Sequence, residues 1–334
     1  MKVSVVGCGA VGSFYGAKLC RAGHETHFLL RSDYEEARRH GIRIKSAEGD
    51  FSVRPRCARR PEEIGQCDLV LVALKTTAND SFGGLISPLV GQGTAILTLQ
   101  NGLGNEEQLS RIFPAEQILG GLCFVCLNRI APATVQHIAH GQVVLGEFRR
   151  WPEPRTYDIA AAFRHAGIPC RVSRNLERAH WEKLVWNIPF NGLGVASAAG
   201  LACLGGASQL PNVLQPCLST NQLLSQPDWL RCVRDLMDEV VRTANALGLD
   251  VAPALADQMI EKTRSMGAYK ASTVLDYERG RTLELEALFL RPLRAAQSAV
   301  VGTPRLERLC QVLRRLDHRL RADYCPDGRI DYNL

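Results

Sequence analysis

The sequence predicts an α/β protein in which a doubly wound parallel sheet is followed by an all-helical C-terminal domain. Short β-branched runs alternate with helix-spaced apolar patterns through the first half, the signature of parallel βαβ units. Near Asn175 that alternation gives way to long helical patterns, and a chain of 334 residues provides for two domains of ordinary size. Hydrophobic residues are 46% and charged residues 22%, with mean hydropathy near zero, which excludes a disordered or membrane-embedded chain. No apolar run approaches the roughly 18 residues of a membrane span. The net charge of +6 suits an anionic small molecule and calls for neither nucleic acid nor membrane as partner.

The elements follow in order. Lys2–Val6 reads as a strand, Val11–Ala22 as a helix and Glu25–Leu30 as a second strand. Further buried strands are expected at Leu69–Leu74, Ala95–Leu99, Ile118–Leu127 and Gln142–Gly146. Beyond Pro152 and Pro154 a helix at Tyr157–His165 and a strand at Ile168–Val172 add one more unit, so the first domain is expected to span residues 1–173. In the second, residues 174–334, helices are expected at Arg178–Asn191, Trp229–Leu247, Ala254–Ser265 and Arg281–Ser298, with a long loop at Leu201–Pro216. A final helix sets Leu306, Leu309, Leu313, Leu316 and Leu320 on one stripe. Such stripes serve either an internal core or the interface of a homodimer.

Twelve cysteines without a compact framework read as free thiols of a reducing compartment. Glycines interrupt the apolar start at once and no small-residue cleavage site follows, so a cytoplasmic location is expected. Cys123 and Cys126 lie in an apolar run without the second ligand pair that zinc needs, and His137 and His140 have no acidic residue at metal spacing. Packing is expected of all four, and no metal.

Gly7-Cys8-Gly9-Ala10-Val11-Gly12 follows a strand and opens a helix, the setting that gives G-x-G-x-x-G its meaning as a Rossmann-type dinucleotide site. The first glycine permits the tight turn, the second lets backbone approach a diphosphate, and the third lets the helix pack closely. The end of the second strand then selects the dinucleotide. An acidic residue there would accept hydrogen bonds from the ribose hydroxyls of NAD, but the strand ends in Leu29-Leu30-Arg31. Arginine pairs with a 2′-phosphate, so NADP(H) is expected; Asp33, slightly beyond, keeps NAD as the lesser alternative. Lys75 directly follows an apolar strand, where carboxyl ends of a parallel sheet gather ligands, and is read as a cofactor contact.

Lys183, Asn187 and Asn191 recur at i, i+4 and i+8, on one helix stripe. Asparagine is a poor helix-interior residue, so two on one face invite a functional reading. An ammonium there can give a proton to a developing alkoxide while amides orient a polar substrate. By spacing alone, a plain polar helix face is an equal reading. Pro189 removes a backbone donor from this helix and is expected to kink it.

Together Gly7 to Gly12, Arg31, Leu74-Lys75, Gln100-Asn101-Gly-Leu-Gly104 and the Lys183/Asn187/Asn191 spacing resemble the ketopantoate reductase (2-dehydropantoate 2-reductase) family. Ser272-Thr-Val-Leu-Asp276, followed by Thr282-Leu-Glu284, resembles that family's later signature, and the resemblance runs through nearly the whole chain in order. It implies NADPH-dependent reduction of the 2-keto group of 2-dehydropantoate to pantoate, toward pantothenate and coenzyme A. On that resemblance Lys183 is the proton donor, and Asn187, Asn191 and Ser272 hydrogen-bond the 2-keto acid substrate. Asn101 sits between nicotinamide and substrate, and Glu284 near the nicotinamide ribose and the lysine, with Glu286 a competitor for its role. Arg31 and Lys75 hold the 2′-phosphate end.

The chain departs from the family pattern at Ala287-Leu-Phe-Leu-Arg-Pro292, at Thr273 and across Leu201–Gly206, positions around the substrate. A reductase of a different 2-keto acid therefore stands as the alternative. An NADP-binding sensor without turnover is a further one, though it has no need of the lysine and amide stripe. A ligand cleft between the two domains, closing during turnover, is expected from the architecture alone.

Overall fold

The computed structural model describes residues 1–324. These divide into two compact units, the first Met1–Ala179 and the second beginning at His180, the division falling inside one helix a few residues beyond the expected 173.

The first unit is built on a ten-stranded sheet. Its strands are β1 (Lys2–Val6), β2 (Glu25–Leu29), β3 (Ile42–Ser46), β4 (Phe51–Val53), β5 (Arg56–Ala58), β6 (Leu69–Val72), β7 (Ala95–Thr98), β8 (Ile118–Ala131), β9 (Thr134–Glu147) and β10 (Cys170–Val172). The parallel run β5-β2-β1-β6-β7-β8 has the Rossmann strand order, and the order reverses between β1 and β6. Strand residues alternate between two cores: Val3, Val5, Leu69 and Leu71 pack on one face, Val6, Val70 and Val72 on the other. That two-sided burial is why these strands read as continuous apolar runs. The helices of this unit are α1 (Ala10–Arg21), α2 (Tyr34–His40), α3 (Phe82–Ile86), α4 (Asn105–Leu109) and α5 (Pro154–His165).

The expected doubly wound parallel sheet is present, and antiparallel pairs extend it into a mixed sheet. β8 and β9 form a long antiparallel hairpin, and β3 pairs antiparallel with β4. Both arms of the hairpin run 14 residues, well beyond the expected strands. Register shifts at Phe124/Val125, Cys126/Leu127 and Arg129/Ala131 break the period-two alternation, hiding the extension of the arms toward the hairpin tip from a pattern reading. Within the hairpin, His137 is buried against the Phe14 ring, its Nε2 2.7 Å from the His140 carbonyl and its Nδ1 2.8 Å from Ser46 Oγ. Cys123 and Cys126 are buried in β8.

The next helix, α6 (Leu176–Ala196), carries the chain into the second unit and continues through Pro189. The unit is helical: α7 (Leu201–Leu204), α8 (Thr220–Ser225), α9 (Pro227–Ala246), α10 (Leu255–Arg264), α11 (Ser272–Glu278), α12 (Arg291–Ser298) and α13 (Pro304–Tyr324). The leucine stripe of α13 is buried throughout. Glu239 of α9 caps this helix, its carboxylate accepting the Arg305 and Leu306 N–H groups at 2.9 and 2.8 Å. The expected helix Arg281–Ser298 is corrected: residues 281–284 are non-helical, Glu286–Leu290 form a π-helical turn, and regular helix starts at Arg291. Gly280 in a left-handed conformation ends the preceding element and forces this break. The loop expected at Leu201–Pro216 opens with the single turn of α7.

Candidate active site

The glycine loop sits at the carboxyl end of β1, beside the end of β6, where the strand order reverses. Each glycine has a separate physical reason. Gly7 takes φ +96°, and a Cβ there would lie 2.4 Å from the Leu74 backbone nitrogen. A Cβ on Gly12 would lie 2.2 Å from the Gly7 carbonyl oxygen, so α1 approaches the strand only without a side chain. Gly9 is exposed, and a Cβ there meets no protein atom within 4 Å. Packing thus requires Gly7 and Gly12 but leaves open space above Gly9, the place a diphosphate needs for close backbone approach. The first turn of α1 holds no acidic residue and no side-chain cap, leaving its N–H groups and dipole to an anion. Cys8 is turned inward: its thiol donates to the Leu29 and Val5 carbonyls, and burial raises its pKa well above that of an ordinary thiol, aided by Cys57 and Asp33. Ala10 and Val11 open the helix, half-buried against the sheet core.

Arg31 is exposed just past β2, and Lys75 is exposed just past β6. Asp33 is buried instead, its carboxylate gripped by Arg129 through Nε at 3.1 Å and through a second guanidinium nitrogen, while the Ala133 N–H donates at 2.9 Å. The acid that kept NAD open as an alternative is thereby engaged in holding the β8–β9 hairpin. Asn101 begins the half-buried turn after β7, where Gly102 and Gly104 take φ of +86° and +91°.

In the second unit, α6 buries Lys183, Asn187 and Asn191 together, none more than 8% exposed. An exposed polar face is therefore excluded as the account of this stripe. The amide of Asn191 is committed locally: Nδ2 donates to the Asn187 carbonyl at 3.0 Å, and Oδ1 accepts the Thr273 N–H at 3.0 Å, with Ser272 Oγ at 3.4 Å. Asn191 thus joins α6 to the start of α11 and sets the position of Ser272. Trp186, one turn away, donates its indole N–H to Thr263 Oγ1 at 2.8 Å, tying α6 to α10.

Glu284 is buried at 6% exposure, whereas the Glu286 side chain is half exposed and pairs with Arg291 and Arg294. The break in the helix separates these two carboxylates. One residue that sequence reasoning missed is Asp317 of α13. Its Oδ1 accepts the Leu283 N–H at 2.9 Å and its Oδ2 meets Arg321 at 2.8 Å, so it anchors the segment that carries Glu284. An aspartate on the buried stripe side of an amphipathic helix was the available signal.

Comparison with known proteins decides the family. The first unit matches the model described as "Ketopantoate reductase PanE/ApbA" over residues 3–150, and the second matches "Ketopantoate reductase PanE/ApbA C terminal" over residues 216–317. The chain belongs to the ketopantoate reductase family. A 2-dehydropantoate 2-reductase of Nostoc sp. is 36% identical over 327 residues, covering 96% of this chain and 97% of the relative. Among solved structures, 2-dehydropantoate 2-reductase from Geobacter metallireducens is 44% identical with a TM-score of 0.85, covering 94% of this chain and 99% of that one. The enzyme from Methylococcus capsulatus is 32% identical with a TM-score of 0.82, covering 96% of this chain and 98% of that one. The ketopantoate reductase match thus extends over both units rather than over the glycine loop alone. Among the described residues no helix is long and apolar enough to cross a membrane, and no group of His, Cys, Asp and Glu is arranged to hold a metal.

Proposed function

We propose that the chain is an NADPH-dependent 2-dehydropantoate 2-reductase, making pantoate for pantothenate and coenzyme A synthesis. The observation that carries this reading is the burial of an amine and two amides, Lys183, Asn187 and Asn191, on one stripe of a chain similar end to end to enzymes of that name. Burial of an ammonium and two carboxamides is costly, and a fold without catalytic need would fill those positions with apolar groups. A cytoplasmic location goes with this reading, supported by the cysteines among the described residues, which are free thiols.

The residues divide the work. When bound, NADPH supplies the hydride that turns the 2-keto carbon into an alcohol carbon. The loop from Gly7 to Gly12 holds the diphosphate, and Arg31 and Lys75 neutralise the 2′-phosphate, a role supported by the commitment of Asp33 to Arg129. Asn101 orients the nicotinamide end. Lys183 Nζ gives its proton to the carbonyl oxygen as negative charge develops there, and Glu284 stabilises that ammonium between turnovers. Asn187 and Ser272 hydrogen-bond the substrate carboxylate and hydroxyl, while Asn191 holds Ser272 in place.

The test is oxidation of NADPH by the purified protein with 2-dehydropantoate, run beside NADH and a panel of other 2-keto acids. Turnover confined to NADPH and 2-dehydropantoate is expected. Preference for another keto acid would move the protein out of pantoate synthesis, and cofactor binding without turnover would refute the reductase reading.

A further inference from the structure

Behind the turn that carries Asn101 lies a chain of buried polar side chains that the preceding roles leave unused. Thr98 Oγ1 donates to Gln100 Oε1 at 3.0 Å, and Gln100 Nε2 donates to Asn79 Oδ1 at 2.7 Å. Asn79 Nδ2 donates to Asn105 Oδ1 at 3.0 Å, and Asn105 Nδ2 donates to the Asn101 carbonyl at 3.2 Å. All four donors are at least nine-tenths buried.

The direction of this relay is fixed by its last link. A backbone carbonyl only accepts, so Asn105 must turn its NH₂ toward Asn101 and its oxygen toward Asn79. That oxygen needs a donor, which orients Asn79, which in turn orients Gln100 and leaves the Thr98 hydroxyl to start the chain. Head-to-tail amides polarise one another, and in a dry interior each link is costly to leave unmade. The relay joins three segments: the end of β7, the turn that follows Lys75, and the first residue of α4. Between the first and the last lies the turn of Asn101, whose two left-handed glycines supply no side chains to brace it.

We propose that Asn105 and Asn79 are positioning residues for the nicotinamide end of the cofactor, acting through the backbone of Asn101. This rests on the reading of Asn101 as the residue beside the nicotinamide. The effect of cutting the relay falls with distance from Asn101: greatest at Asn105, smaller at Asn79, smallest at Thr98.

The experiment uses the full chain with Asn105→Asp, Asn79→Asp and Thr98→Val. In Asn105→Asp a carboxylate faces the Asn101 carbonyl and repels it, while protonation returns an O–H donor. At neutral pH its affinity for NADPH is expected to fall about tenfold or more, while affinity for 2′-phospho-ADP-ribose, which lacks the nicotinamide, stays within about twofold. Binding of NADPH recovers as the pH is lowered, and in cofactor-free protein the amides of residues 101–104 exchange faster with solvent than in wild type. Should Asn105→Asp not fold, the order of effects in Asn79→Asp and Thr98→Val carries the test. Equal loss of both ligands, absence of pH rescue, or wild-type exchange in that turn would overturn the proposal. A wild-type protein that binds no NADPH would instead sink the cofactor reading itself.

Discussion

Arg129, near the end of β8, grips the carboxylate of Asp33, near the end of β2, and so engages the acid that follows Arg31 by two positions in the chain. The guanidinium spans both carboxylate oxygens, and the Ala133 N–H adds a third bond. Charge-assisted, bidentate and largely buried, this pair is among the stronger polar contacts a protein makes. One contact therefore serves two ends. It pins the hairpin tip, and it commits the Asp33 carboxylate to a guanidinium other than that of Arg31.

Arg31→Ala is accordingly expected to raise the KM for NADPH about 10- to 100-fold, the worth of one charge-assisted contact, with little change for NADH. The ratio of kcat/KM for the two cofactors reads this directly. An unchanged ratio would mean that 2′-phosphate recognition lies elsewhere.

The glycine loop gives a paired expectation. Gly12→Ala puts a methyl group against the Gly7 carbonyl, with the side chains of Val5 and Ala73 also close, and should lower the melting temperature markedly. Gly9→Ala meets no protein atom and has an ordinary backbone conformation, so its melting temperature should match wild type. Its NADPH affinity should nonetheless fall about tenfold or more, because the added methyl occupies the space of the diphosphate. Calorimetry with and without NADPH separates the two. A Gly9→Ala protein that binds NADPH normally would place the diphosphate somewhere other than above residue 9.

Lys183→Ala should lower kcat about 10²- to 10⁴-fold, the usual worth of a positioned general acid, and leave NADPH binding nearly intact. Lys183→Arg keeps the positive charge but holds its proton too firmly to give it up, so it too should be slow. Were the arginine variant to turn over at the wild-type rate, charge rather than proton donation would be the role of this position. Single-turnover kinetics beside a fluorescence titration of NADPH provides both numbers.

How much of this was legible in the sequence varies with the physics. β1, the glycine turn and α1 were readable because Gly7 and Gly12 answer local steric demands and the strand is buried on both faces. β3 was also readable, since Ile42 and Ile44 are buried while Arg43 and Lys45 are exposed, but its short alternation was passed over. Of the β8–β9 hairpin the sequence showed strands at Ile118–Leu127 and Gln142–Gly146 but not their full length or pairing, because bulges shift the inward face at several points. In the site, Lys183, Asn187 and Asn191 declared themselves as polar residues on a helix stripe, and their burial came only from the structure. The separation of Glu284 from Glu286 depends on where a helix breaks. The engagement of Asp33 depends on a residue nearly a hundred positions away, and no local pattern carries such a pairing.

The anchoring of Glu284 by Asp317 leads to the last expectation. Leu283 N–H is buried and is satisfied by a side chain from α13, so losing that acceptor frees the backbone immediately before Glu284. Asp317→Ala should cost about 1–3 kcal/mol of stability, the penalty of an unsatisfied buried N–H. It should also lower kcat, because the carboxylate of Glu284 is no longer held in place, while NADPH affinity, assigned above to the glycine loop, Arg31 and the Asn101 turn, stays near the wild-type value. Asp317→Asn keeps an oxygen for Leu283 and gives up only the ion pair with the half-exposed Arg321, so it should retain most of the turnover. A purely structural role would lower the stability of the alanine variant without lowering its kcat. Glu286→Gln supplies the control, since its partners Arg291 and Arg294 lie on the same surface stretch and its loss should leave kcat unchanged. If Asp317→Ala turns over like wild type at a temperature where it is folded, or if Asp317→Asn is as slow as the alanine variant, then Asp317 is not what positions Glu284.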